Sequence, residues 1–151
     1  MSYTPIDPAL SFGLNFDSRD LYANQQGYIS TRQVRLLRDK RRQQTQPPSL
    51  LSRLAGSLFF VIYGITPQQH QWNLIGADIT ATLAHHQQGQ VALPRIRSYK
   101  DNPSVQTLYQ IAVNRKLYRV DRRALRSFRH QAEYTLYYAP HSRLALSAES
   151  N

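Results

Sequence analysis

The chain of 151 residues has no cysteine, one methionine, one tryptophan and nine acidic side chains. Without cysteine there is no disulfide and no thiolate metal site, and cysteine usage leaves the redox compartment open. The few carboxylates are scattered, so paired-carboxylate acid–base chemistry has no obvious seat. No G-x-S-x-G, P-loop or G-x-G-x-x-G segment is present. No catalytic residue and no cofactor is therefore assigned, and a non-enzymatic protein is the expectation. Long apolar runs are missing too: Leu54 to Ile65 is uncharged but is followed at once by Gln68-Gln69-His70-Gln71, whereas one ordinary bilayer span takes about 20 apolar residues. Met1 to Pro8 lacks a basic start followed by an apolar stretch, so no secretory signal is expected.

What the chain has in excess is positive charge. Nineteen lysines and arginines against nine acids give a formal charge of +10. Such an imbalance points to an anionic partner: a membrane surface, an acidic protein complex or nucleic acid. At this length, with 41% hydrophobic residues, one ordinary domain or a small domain with an appendage is expected.

Residues 1–16, with Pro5, Pro8 and Gly13, show little periodicity and read as a flexible arm. Residues 17–49 read as a helical hairpin and linker. Asp17 or Ser18 caps a first helix, Gly27 ends it in a left-handed conformation, and Ser30-Thr31-Arg32-Gln33 is a capping box opening a second helix. That helix carries Arg32, Arg35, Arg38, Lys40, Arg41 and Arg42. Cations in a last turn complement the helix dipole; the cluster is also the candidate contact for an anionic partner. Pro47 and Pro48 stop the helix, and Gln43–Ser49 reads as the linker.

Residues 50–77 form an apolar segment, membrane-associated or core, in which Leu54, Leu58, Phe59, Ile62 and Trp72 are the candidate membrane or partner contacts. Basic residues just upstream favour an anionic leaflet. From Asp78 to residue 151 a small β-barrel is expected. In it, Ile79–Leu83 reads as either a strand or a short helix, and His85-His86-Gln87-Gln88-Gly89 reads as a polar turn. Val91 and Leu93 open a strand that Pro94 limits to an edge or an end, and Ser98–Ser104 is a loop. Tyr109, Ile111 and Val113 mark a strand, and Asn114-Arg115 a tight turn into Lys116–Val120 with Tyr118 and Val120 inward. Asp121 caps one or two helical turns that bury Leu125 and Phe128. Tyr134–Ala139 and Leu144–Ala148 alternate as a last pair of strands around Pro140. The fold class is α+β: an N-terminal helical hairpin followed by a five-stranded barrel of the SH3 or OB kind.

Leu21-Tyr22-Ala23-Asn24-Gln25-Gln26-Gly27-Tyr28-Ile29-Ser30-Thr31-Arg32-Gln33 resembles the L-x-A-N-x-x-G-x-[LI]-S-x-x-Q segment of a family of uncharacterised bacterial and cyanobacterial membrane-associated proteins. Tyr134 to Glu149 looks like that family's Y-x-x-Y-Y-x-P-x-S segment closing on S-x-E, and Gln90-Val91 after Gly89 is similar to its entry into the β-domain. The resemblance implies two blocks flanking transmembrane helices, with the β-domain on the cytoplasmic side, and it brings no enzymatic activity. This chain departs from that pattern at residues 50–77, which are too short and too polar for two spans.

Two metal readings fail on chemistry. With Gly27 as position 6 of an EF-hand loop, positions 1 and 12 fall on Tyr22 and Gln33, so the carboxylates are missing. His85-His86 lacks a third ligand in register, and a solvated loop explains the pair. No metal is expected. Arg119, Arg122, Arg123, Arg126 and Arg129 interleave with aromatics as nucleic-acid platforms do, against the plainer reading of core tyrosines and solvated arginines. The leading expectation is an accessory or assembly protein on the cytoplasmic face of a membrane, docking on an anionic membrane surface or membrane protein complex. The alternative is a cytoplasmic RNA- or ribosome-binding module.

Overall fold

The structure is a computed structural model that describes residues 5–43, 67–93 and 109–151. Its order is α1 (Pro8–Leu14), α2 (Ser18–Gln25), α3 (Thr31–Gln43), α4 (Pro67–Ala81), β1 (His85–Ala92), β2 (Tyr109–Val113), β3 (Lys116–Val120), α5 (Arg122–Leu125), β4 (Glu133–Tyr138) and β5 (Ala145–Ser150). The fold is α+β, with one five-stranded antiparallel sheet in the order β3-β2-β1-β4-β5.

The helix starts follow from capping. Asp7 accepts the Ala9 amide at 2.8 Å and Pro8 occupies the first turn, where its missing N–H costs nothing. Residues expected in a loose arm therefore form α1, whose Leu10 is fully buried. Asp17 takes the amides of Arg19 and Asp20, while the Asp20 carboxylate takes the Asp17 amide back at 3.1 Å. Gly27 follows α2 with φ +85°. Ser30 and Gln33 make the expected reciprocal capping box, Gln33 N to Ser30 Oγ at 3.1 Å and Ser30 N to Gln33 Oε1 at 3.2 Å.

The strand reading holds for β2 to β5, including the hairpin at Asn114-Arg115, where both residues take positive φ (49° and 63°) as a type I′ turn requires. Three expectations are corrected. The β pattern does not start at Asp78: α4 runs to Ala81, and Asp78 is buried in it. His85–Gly89 is not a turn but the first part of β1, paired residue by residue with β4 from His85–Tyr138 to Gln90–Glu133. Its side chains stay mostly exposed, so the strand left no period-2 apolar signal. Along β1 the partner changes after Gln90: His85–Gln90 pair with β4, and Val91 and Ala92 with β2. Finally, the sheet is not closed among the described residues: β3 meets the residue just before β5 at an isolated parallel bridge, Arg119–Leu144, with the Arg119 amide on the Arg143 carbonyl at 2.8 Å.

Two apolar clusters fill the fold. In one, Leu10, Phe16 and Leu21 from the first two helices pack on sheet residues such as Ile111, Tyr118 and Leu136. In the other, Val34 and Leu37 of α3 and Ile75 of α4 pack on Leu144 and Leu146. The helical hairpin and the sheet thus share their core. Each fully buried aliphatic side chain contributes about 1.5–3 kcal/mol.

Candidate anion-binding face

The carboxylates are largely used inside the fold. Asp7 and Asp17 cap helices. Asp78 takes the His141 and Ser142 amides, both at 2.9 Å, and so pins the β4–β5 connection to α4. Glu149 accepts Gln25 Nε2 at 2.9 Å and the Tyr137 hydroxyl at 2.7 Å. Burial, then this contact with Glu149, raises the Tyr137 pKa. Backbone amides and neutral side chains occupy these four groups, so the positive surface is left under-compensated.

Two carboxylates do pair with cations of α3. Arg32 bridges to buried Asp20 and donates to Asn15 O at 3.1 Å and Asn15 Oδ1 at 2.9 Å. It is therefore tied into the fold. Lys40 Nζ lies 2.8 Å from both oxygens of Asp121. Asp121, expected as a helix cap, makes no side-chain capping bond to α5 and serves this pair instead. The guanidinium of Arg41 lies over Gly76, whose absent side chain leaves it room: a Cβ there would sit 3.2 Å from Arg41 Nη1. Arg35, Arg38 and Arg42 are exposed along α3. Leu54, Leu58, Phe59 and Ile62 lie outside the described residues, as does the side chain of Trp72, whose backbone belongs to α4.

Lys40–Asp121 joins residues 81 apart in sequence and brings the last turn of α3 beside Arg122 at the start of α5. The two stretches form one basic tract. Beneath it a cleft of about 260 Å³ is lined by Leu14, Leu36, Leu37, Val120, Leu144 and Leu146, with Lys40, Asp121 and Asp39 among its polar groups.

A second part of this face was missed in the sequence. Gly13 lets α1 lie against α5 so closely that a Cβ would fall 1.9 Å from Ser127 Oγ and 3.2 Å from Ala124 Cα. The contact sets Phe12, 69% exposed, under the guanidinium of Arg123, which stands 4.8 Å from the ring centroid. Arg122, Arg126 and Ser127 line the same shallow hollow. Asp7-Pro8, a cap followed by proline, was the sequence signal for α1.

The interleaved arginines and aromatics separate on folding. Tyr118, Phe128 and Tyr134 are buried, while Arg122, Arg123, Arg126 and Arg129 are exposed. Arg119 is partly buried, which lowers its pKa. His85 and His86 lie against Tyr138 and Tyr137. Among the described residues no three His, Cys, Asp or Glu side chains group as a metal site, and no helix is long and apolar enough to cross a membrane.

No protein-family model, curated protein or solved structure matches the chain.

Proposed function

We propose that this chain is a non-enzymatic accessory or assembly protein that docks on an anionic membrane surface or membrane protein complex, on the cytoplasmic face. The observation that carries the reading is the Lys40–Asp121 bridge, which joins the basic end of α3 to the arginines around α5. The chain's formal charge of +10, to which this tract contributes, attracts a polyanion at long range and loses that attraction in salt. The apolar stretch that follows α3 in sequence adds a second, non-electrostatic contact. The five-stranded sheet is the docking scaffold in this reading. Kinship with the membrane-associated family that Leu21–Gln33 and Tyr134–Glu149 resemble belongs to the same proposal.

A soluble RNA- or ribosome-binding role is the second reading, favoured by the predominance of arginine, whose planar fork suits phosphate. Fractionation of native cells separates the two. Retention in the membrane fraction at low salt, with release by high salt or only by detergent, supports the first. Release by nuclease at low salt without detergent sinks it in favour of the second, because phosphate contacts dominate such binding.

A further inference from the structure

We infer that the α1–α5 face is a bilayer contact in which Phe12 enters the headgroup region of anionic phospholipids while Arg123 and Arg126 hold lipid phosphates. The inference rests on the proposed membrane reading and assigns it a site that the α3 cluster does not include.

Phe12 is exposed at 69% on a helix whose other large apolar residues pack inward, Leu10 fully buried and Leu14 partly buried against the core. An isolated phenyl ring in water gains from burial wherever a partner covers it. The guanidinium over its ring and the other arginines of the hollow ring that side chain with cations. Their charge complements a phosphate-bearing surface, and a cationic rim around an apolar tip is the two-signal arrangement that holds peripheral proteins to anionic bilayers. A single-stranded nucleic acid fits less well, since it needs successive stacking platforms. Phe12 is the single aromatic among the residues that line the hollow.

The experiment is flotation of the full chain with phosphatidylcholine vesicles, with and without phosphatidylglycerol. Wild type should float only with the anionic vesicles. Phe12→Ala should weaken partition about tenfold, on the scale of burying part of a phenyl ring, and Phe12→Leu should restore most of it. The pair Arg123→Gln and Arg126→Gln should cost roughly 30-fold, about fivefold for each charge near the surface. Unchanged melting of Phe12→Ala verifies the fold, as expected for an exposed side chain. If Phe12→Ala floats like wild type while α3 variants do not, this inference fails and the broader reading stands. Wild type that floats with neither vesicle overturns both. Loss of oligouridylate binding on Phe12→Ala, with flotation intact, assigns the face to RNA and overturns the inference.

Discussion

Two polar regions of this molecule are built in opposite ways. At the junction of α2, α3 and β5, buried polar groups saturate one another. Asn24 donates to the Tyr28 carbonyl and to Gln33, both at 2.8 Å, and receives Gln33 Nε2 at 3.0 Å and the Ser147 hydroxyl at 2.6 Å. Gln33 also donates to the Leu146 carbonyl at 3.2 Å, and Ser30 and Arg32 close on Asp20. On the α1–α5 face, Arg123, Arg126 and Phe12 point into solvent. Buried polar groups that find their partners specify one packing. Exposed charge with little countercharge specifies a partner instead. The contrast teaches that the chain's two most legible segments, Leu21–Gln33 and Tyr134–Glu149, are halves of one internal junction.

The sharpest way to break this comparison is to unsaturate the junction. Asn24→Ala strands Gln33 and the Ser147 hydroxyl in the interior and should cost about 3 kcal/mol. Thermal denaturation should then show a midpoint lower by roughly 10 °C for a chain of this size. A loss under about 1 kcal/mol would mean that the network is not what fastens the hairpin to the sheet. Asp78→Ala comes next. It removes the acceptor for the amides of His141, part-buried, and Ser142, buried, and about 2 kcal/mol should be lost in a denaturant titration.

Alkaline pH probes the interior without mutation. The Tyr118 hydroxyl is buried with no hydrogen-bond partner among the described residues, and burial, then neighbouring Tyr138, pushes its pKa up to about 12. The native state holds the neutral phenol, whereas the unfolded chain ionises near the ordinary tyrosine value of 10. Stability is therefore intact below pH 10 and falls as pH rises toward 12, by about 1.4 kcal/mol per unit for this group. Tyr118→Phe should leave stability at neutral pH unchanged or raise it by up to about 1 kcal/mol, and it should flatten the alkaline fall. A fall of the same steepness in the variant would place the responsible group elsewhere, with Tyr137 first in line because its pKa is raised too.

What could be read from residues alone follows the same division. Helix caps and alternating strands are local, so α2, the start of α3, the Asn114-Arg115 hairpin and the inward Tyr118, Val120, Leu125 and Phe128 were legible. β1 was not, because His85 to Gly89 is held by backbone pairing to β4 rather than by an apolar face. Nor was the fate of the cations: Arg32 and Arg35 look alike in sequence, and only tertiary geometry ties the first to Asp20 and leaves the second outside. The α1–α5 face depends on Gly13 meeting Ser127, a contact over 100 residues that no local pattern encodes.

The smallest expected effect on stability is the most telling for function. Arg35→Gln with Arg38→Gln alters two exposed side chains of α3, so the melting midpoint should move by no more than about 2 °C. Lys40→Gln should cost slightly more, about 0.5 kcal/mol, since its ion pair with Asp121 is partly solvated and screened. Binding to anionic vesicles should follow the reverse order. The arginine pair removes two outward charges, each worth about 1 kcal/mol near an anionic surface, whereas Lys40 is already neutralised by Asp121. If instead the arginine pair proves destabilising and Lys40→Gln weakens binding more, the exposed part of α3 belongs to the framework. The boundary between the internal and the outward-facing charges would then have to be redrawn through that helix.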